Sequence, residues 1–126
     1  MTERAKYLIG FLVTGIVIGI LLVLLRYPGV TIRIDNQTGN QIEDVSILFA
    51  GGPVMLVEVA NNSKVESRIS VTSESSVRIA YSQNGKTITT DDHGYLENGY
   101  GGEMTFTLKS DEKYEVVEHI KLPALP

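Results

Sequence analysis

The densest group of side chains able to bind a cation is the segment Asp91-Asp92-His93-Gly94, with Glu97 close behind it. Carboxylate oxygens and an imidazole nitrogen are ligands that divalent cations accept. The spacing matches no known metal-binding loop, however, and two aspartates before a glycine are typical of an exposed turn. We therefore interpret the segment as a turn and predict neither a metal nor another cofactor.

Catalysis near neutral pH would need a general base, and only His93 and His119 are suited to that role. Neither histidine belongs to a nucleophile elbow or to another motif of fixed geometry. His119 shares a strand face with Val117 and Lys121, and we expect that face to point to solvent. The chain also has no cysteine, which excludes thiolate nucleophiles, thiolate metal sites and disulfides. The sequence favours a protein without enzymatic activity.

Two tyrosines lie in the glycine-rich segment that runs from Tyr95 to Gly102. Tyrosines among glycine and asparagine form contact surfaces in recognition loops, because the large amphipathic ring costs little conformational entropy to hold. In the alternative interpretation one or both rings cap the core, while the glycines meet turn or bulge geometry. We predict a partner-binding loop and keep core packing as its alternative; the residues predicted to bind are Tyr95, Glu97, Asn98 and Tyr100.

An uncharged apolar run, Tyr7 to Leu25, precedes these residues. As a helix it would measure about 28 Å, close to the roughly 30 Å of a bilayer's hydrocarbon layer. The run is longer than the usual signal-peptide core, and Arg26-Tyr27-Pro28 follows it in place of a small-x-small cleavage site. We predict an uncleaved signal anchor that contacts membrane lipid through residues 7–25, after a head at 1–6 and before a short linker at 26–29.

The orientation of this anchor depends on the basic residues that flank it. Arg4 and Lys6 before the run are matched by Arg26 and Arg33 after it, so the count of lysine and arginine is tied. A short basic head before an apolar run is nevertheless the signal-anchor arrangement. We expect a single-pass protein of the cytoplasmic membrane, with a cytoplasmic N-terminus and an extracytoplasmic C-terminal domain.

Small residues within the run could bring two helices together. Gly15 and Gly19 form a small-xxx-small pair, and Thr14 adds a hydroxyl beside it. In lipid such a notch allows close helix packing. We note helix–helix contact and a homo-oligomer as hypotheses, although glycine is common in transmembrane helices without this role.

The remainder of the chain is acidic. Residues 1–28 carry a net charge of +2 within a total of −4, so residues 29–126 carry −6. Nucleic-acid binding requires clustered lysine and arginine, and we therefore exclude a nucleic-acid partner. Anionic lipid headgroups should also repel such a domain, so we expect it to stand away from the membrane surface.

Short apolar alternations separated by turn residues follow from Val30 onward and predict seven to eight strands. Asn84-Gly85 is the strongest hairpin signal, because both positions of that tight turn require positive φ. Helical periodicity is absent. The pattern predicts an all-β domain at 30–122, built as an antiparallel β-sandwich, with an immunoglobulin-like arrangement as its specific form and a barrel as the alternative. Residues 123–126 are expected to form a frayed tail.

These features favour a non-catalytic recognition or accessory protein of the cell envelope, anchored in the membrane and in contact with a protein partner. The partner would be an envelope complex or a toxin to be neutralised. Tethering both molecules to one surface raises their effective concentration, so a weak interface suffices. The alternative function is that of a structural subunit, which contributes its transmembrane helix to a larger membrane assembly.

Overall fold

The computed structural model describes residues 2–26 and 29–123, with the side chains of 19–26 left out. This part of the chain forms one helix, α1 (Glu3–Arg26), and ten strands. The strands are β1 (Val30–Gln37), β2 (Ile42–Leu48), β3 (Val54–Met55), β4 (Glu58–Val59), β5 (Lys64–Ile69), β6 (Ser75–Gln83), β7 (Lys86–Thr89), β8 (His93–Leu96), β9 (Gly101–Lys109) and β10 (Tyr114–Lys121).

Helix α1 begins inside the head that the sequence analysis assigned to residues 1–6. Thr2 caps it, since its Oγ1 accepts a hydrogen bond from the backbone N–H of Ala5 at 3.3 Å. One turn later Lys6 pairs with Glu3 at 3.1 Å. A helix is thus present where the sequence predicts one, and it runs from Glu3 to Arg26 and not from Tyr7 to Leu25. Tyr27 and Pro28 of the predicted linker and residues 124–126 of the predicted tail lie outside the described residues.

The described part of the chain contains no helix that is both long and apolar enough to cross a membrane. The described residues therefore do not support the transmembrane span predicted for 7–25. The side chains of residues 19–25 are not among those described.

The ten strands form two sheets that face each other in a sandwich-like arrangement. The first sheet has the order β10-β9-β1-β5, and the second has the order β3-β2-β6-β7. In the second sheet β4 also pairs with β2, and β8 also pairs with β6. The prediction of a mostly β protein with antiparallel strands in two sheets is confirmed.

Two pairs of short strands each occupy one position in the second sheet. β3 and β4 pair with β2 in a single register, which Val54↔Ile47 and Val59↔Ile42 define. Between them Leu56 donates its backbone N–H to the carbonyl of Val45 at 2.7 Å. β7 and β8 likewise pair with successive parts of β6. The pairing of β8 contains a register shift between Ser75 and Val77. The ten segments therefore fill eight strand positions.

The strand order differs from the expected immunoglobulin-like arrangement. That arrangement places the first two strands in one sheet, whereas β1 and β2 lie in different sheets here. β1 also pairs with β9 in parallel, from Val30↔Gly102 to Gln37↔Lys109. Parallel partners need a long connection, and here nearly the whole domain lies between the two strands. The immunoglobulin-like form was therefore wrong, and the first sheet contains one parallel pair beside its antiparallel pairs.

The core lies between the inner faces of the two sheets. Burial along β1 alternates strictly, as expected for a strand with one face inward. Fully buried side chains come from both sheets, and the large ones include Phe106, Ile32, Ile34, Ile47, Ile79 and Leu108. The predicted Asn84-Gly85 hairpin joins β6 to β7, with φ of 53° and 77° at its two central residues.

Candidate functional site

The glycine-rich tyrosine segment crosses from one sheet to the other at the end of the sandwich where β1 begins. Its first part is β8, on the second sheet, and its last part opens β9, where Gly102 pairs with Val30. Between them Tyr100 donates its N–H to the carbonyl of Glu97 at 3.1 Å, and Gly99 has a φ of 89°. Positive φ at the third position makes this a tight type II turn. The segment is therefore held in place by both sheets.

Tyr95 projects from this segment with 53% of its surface exposed. Its hydroxyl lies 2.5 Å from Glu74 Oε1 and 2.6 Å from Glu97 Oε1. A phenol has one proton and donates it to one of these carboxylates at a time. The edge of the ring also contacts Tyr100, with 6.4 Å between centroids. An exposed aromatic ring is thus held between two negative charges.

The hydrogen bonds to Glu74 and Glu97 raise the pKa of the Tyr95 hydroxyl well above its usual value. A carboxylate acceptor stabilises the neutral phenol, and a nearby negative charge disfavours the phenolate. Tyr95 therefore stays a neutral hydrogen-bond donor through the physiological pH range, while the two carboxylates supply the negative charge.

The other residues of the predicted loop have different environments. Asn98 is exposed at the turn, and Glu97 is exposed beside Tyr95. Tyr100 is half-buried and packs against the core. The two interpretations of the sequence thus describe different rings: Tyr95 is presented to solvent, whereas Tyr100 supports the fold.

A cleft of about 370 Å³ adjoins Tyr95, and Glu74 belongs to both features. The ring of Phe49 and Pro53 form its apolar wall. Opposite them Arg78 Nε pairs with Asp92 Oδ1 at 3.1 Å. We call this cleft, together with Tyr95, Glu74 and Glu97, the Tyr95 surface.

Three members of this surface, Glu74, Phe49 and Arg78, were not predicted from the sequence. They come from the β5–β6 connection, the end of β2 and the middle of β6, so no local spacing joins them to Tyr95. The one available signal was the positive charge of Arg78 within an otherwise uncharged strand.

The potential cation ligands of residues 91–93 separate in the structure. Asp92 faces Arg78, whereas His93 Nε2 lies 2.8 Å from the hydroxyl of Tyr114. The same hydroxyl accepts the backbone N–H of Asp91 at 3.1 Å. Over residues 2–26 and 29–123 no three acidic or histidine side chains converge in a way that could hold a metal ion.

His119 lies with Val117 and Lys121 on the outer face of β10, exposed to solvent as predicted. Thr14 Oγ1 donates to the carbonyl of Gly10 within α1 at 2.9 Å. Gly15 has open space where a Cβ would lie. Gly19 of the predicted helix contact lies outside the residues described with side chains.

No protein-family model matches this sequence, and no curated protein matches it. Among solved structures, the chain is similar to the NMR structure of a protein from Eubacterium rectale. The two sequences are 16% identical, and the TM-score is 0.48 over 71% of this chain and 87% of that one. A likeness of this size has no bearing on function.

Proposed function

We propose that this protein is a non-catalytic, membrane-anchored recognition protein of the cell envelope. In this proposal α1 anchors the chain in the cytoplasmic membrane, and the acidic sandwich lies outside it and contacts a protein partner through the Tyr95 surface. The observation that carries the proposal is the exposed ring of Tyr95, held by hydrogen bonds to Glu74 and Glu97.

A held aromatic ring is a suitable anchor for an interface. Tyrosine is enriched among the residues that dominate binding energy, and a ring that is already ordered loses little entropy when a partner covers it. The cleft beside Tyr95 supplies an apolar wall at Phe49 and Pro53. Together they provide an anchor and a pocket in one continuous surface.

The charges around Tyr95 favour a cationic partner group. Glu74 and Glu97 are both exposed carboxylates, and both lie at the hydroxyl of one exposed aromatic ring. Lysine and arginine bind to such sites through the carboxylates and through the quadrupole of the ring. We therefore expect the partner to present a basic segment to this surface.

Two observations support the tether. In the described part of α1 the apolar side chains are strongly exposed, with Leu8 at 75% and Phe11 at 81%, and such a surface is typical of a membrane or protein contact. The Tyr95 surface also lies at the end of the sandwich where the chain enters from α1. A partner held to the same membrane would meet it at high effective concentration.

The test is a cross-linked pull-down of the full chain from native membranes. Tyr95→Ala should reduce capture of the partner by roughly tenfold or more, as expected for an interface anchor. Glu74→Gln combined with Glu97→Gln should reduce it as well, because both negative charges are removed. Val57→Ala is the matched control, since Val57 is 83% exposed and lies between β3 and β4 on another edge.

Equal capture by the parent chain and Tyr95→Ala would contradict the proposal. The same experiment should include Gly15→Leu, which tests the structural-subunit alternative. In that alternative a neighbouring helix packs against Gly15. Loss of capture in Gly15→Leu alone would make the helix the functional element.

A further inference from the structure

A second cleft, of about 440 Å³, lies on the outer face of the first sheet near the start of β1. Arg68 on β5 and Lys121 on β10 flank it from the two edges of the sheet, with His119 beside Lys121. The two central strands supply its floor, at Gly29, Thr31 and Gly102.

The register explains why a cleft forms there. Lys121 pairs with Gly101, and Arg68 pairs with Thr31, so long basic side chains on the edges stand beside small residues in the middle. The edge strands are roughly 14 Å apart across the two central strands. Side chains as long as lysine and arginine can both reach a small group placed between them.

The glycines of the floor cannot be replaced by larger residues without a clash. A Cβ at Gly29 would lie 2.8 Å from Arg68 Nε. At Gly102 a Cβ would overlap the carbonyl oxygen of His119. The missing side chain at Gly29 therefore leaves room for Arg68 to lie across it, and the missing side chain at Gly102 lets β10 approach β9 closely.

The charge of this cleft is opposite in sign to that of the domain. Arg68 and Lys121 are both cations. Among the described residues of the lining only Glu103 is acidic, and Arg33, which pairs with Glu66 at 2.6 Å, also lies 3.5 Å from the carboxylate of Glu103. A locally cationic cleft thus exists on a domain whose net charge is −6.

The position of the cleft relates it to the membrane. Gly29 lines the cleft and lies three residues after Arg26, where α1 ends. Three residues span at most about 10 Å. If α1 crosses a bilayer, this places the cleft against the headgroup layer, which adds roughly 5–8 Å to each side of the hydrocarbon.

We propose that the cleft between Arg68 and Lys121 binds the phosphate of an anionic lipid headgroup. The inference rests on the proposed membrane anchor. Arginine and lysine bind phosphate oxygens through charge-assisted hydrogen bonds, and the open backbone leaves room for the group. The contact orients the sandwich on the membrane surface, and so fixes the direction in which the Tyr95 surface points.

The test uses the full chain in nanodiscs of phosphatidylcholine alone or with phosphatidylglycerol, and follows the imidazole NMR signals of His119. Phosphatidylglycerol should shift these signals with a saturable dependence on its fraction. Arg68→Gln and Lys121→Gln should each weaken the response about fivefold, since one basic residue near a lipid surface contributes about 1 kcal/mol. Lys113→Gln is the matched control, because it removes the same charge from the β9–β10 turn.

Inorganic phosphate, added to nanodiscs of phosphatidylcholine alone, distinguishes binding of a lipid phosphate from binding of free phosphate. A shift that requires phosphatidylglycerol supports the proposal. A shift that millimolar phosphate reproduces in full, or one that survives both substitutions, would overturn it.

Co-flotation of the full chain with phosphatidylcholine vesicles tests the anchor separately. Failure to float would refute the anchor, and the inference with it. Flotation without a response to phosphatidylglycerol would refute the phosphate site alone.

Discussion

Replacing Asn36 with aspartate should lower the free energy of unfolding by roughly 3–5 kcal/mol, the scale of an uncompensated buried charge. Asn36 is fully buried. Its Nδ2 donates to the carbonyls of Asn40 at 2.8 Å and Val59 at 3.0 Å, and its Oδ1 accepts the N–H of Thr38 at 3.0 Å. An aspartate would keep the acceptor but would turn a carboxylate oxygen toward two carbonyl oxygens. Urea unfolding of the full chain in neutral detergent micelles measures the loss.

The pH dependence of this loss identifies its cause. Burial raises the pKa of a carboxyl group, so the variant's penalty is complete above the folded-state pKa and diminishes as the pH falls and the group binds a proton. The difference from the parent protein should therefore be smaller at pH 4 than at pH 7. Asn40→Asp is the control, because Asn40 is exposed and only its backbone joins the network. A loss of unfolding free energy below about 1 kcal/mol for Asn36→Asp would contradict the described hydrogen bonds of Asn36.

Gly102→Ala should lower the free energy of unfolding by about 3–5 kcal/mol, because it combines a strained backbone with a steric clash. Gly102 has a φ of 99°, and a Cβ there would overlap the carbonyl oxygen of His119 and lie 3.0 Å from the Cα of Ile120. Both contacts are to the backbone of β10, so the two strands must separate. Urea unfolding under the same conditions measures the cost.

Gly39→Ala isolates the backbone strain from the clash. Gly39 has a φ of 97°, and a Cβ there would meet nothing within 4 Å. Gly39→Ala should lower the free energy of unfolding by only about 1–2 kcal/mol, the penalty for placing an alanine in the left-handed region. Equal losses in the two variants would mean that β10 does not approach Gly102 as described. Hydrogen exchange should show weakened protection in β10 for Gly102→Ala alone.

The alternation of apolar residues was sufficient to predict most strands, because one face of each is buried. β8 was missed, since Gly94 interrupts its pattern at a φ of 74° and only Leu96 is fully buried. This strand is defined by its pairing with β6 rather than by its own residues. The parallel pairing of β1 with β9 has no local signal at all, because it joins the two ends of the domain.

The candidate site was predicted only in part for the same reason. Tyr95 and Tyr100 are identical in type, and their different exposure follows from their register against the second sheet and the core. The net negative charge of the domain also gave no indication of the cationic cleft. Arg68 and Lys121 are 53 positions apart in the sequence, and only the folding of β5 and β10 into one sheet brings them to the same cleft.

The most direct test of the proposed function is photo-cross-linking from the Tyr95 surface. The full chain, with a benzoylphenylalanine in place of Tyr95, is irradiated in native membranes and compared with a chain that carries the same group at Lys113. Lys113 is exposed in the turn at the opposite end of the first sheet. We expect a discrete protein adduct from position 95 that is absent from position 113. The same adducts from both positions, or no protein adduct from position 95, would contradict the assignment of the Tyr95 surface as a recognition site.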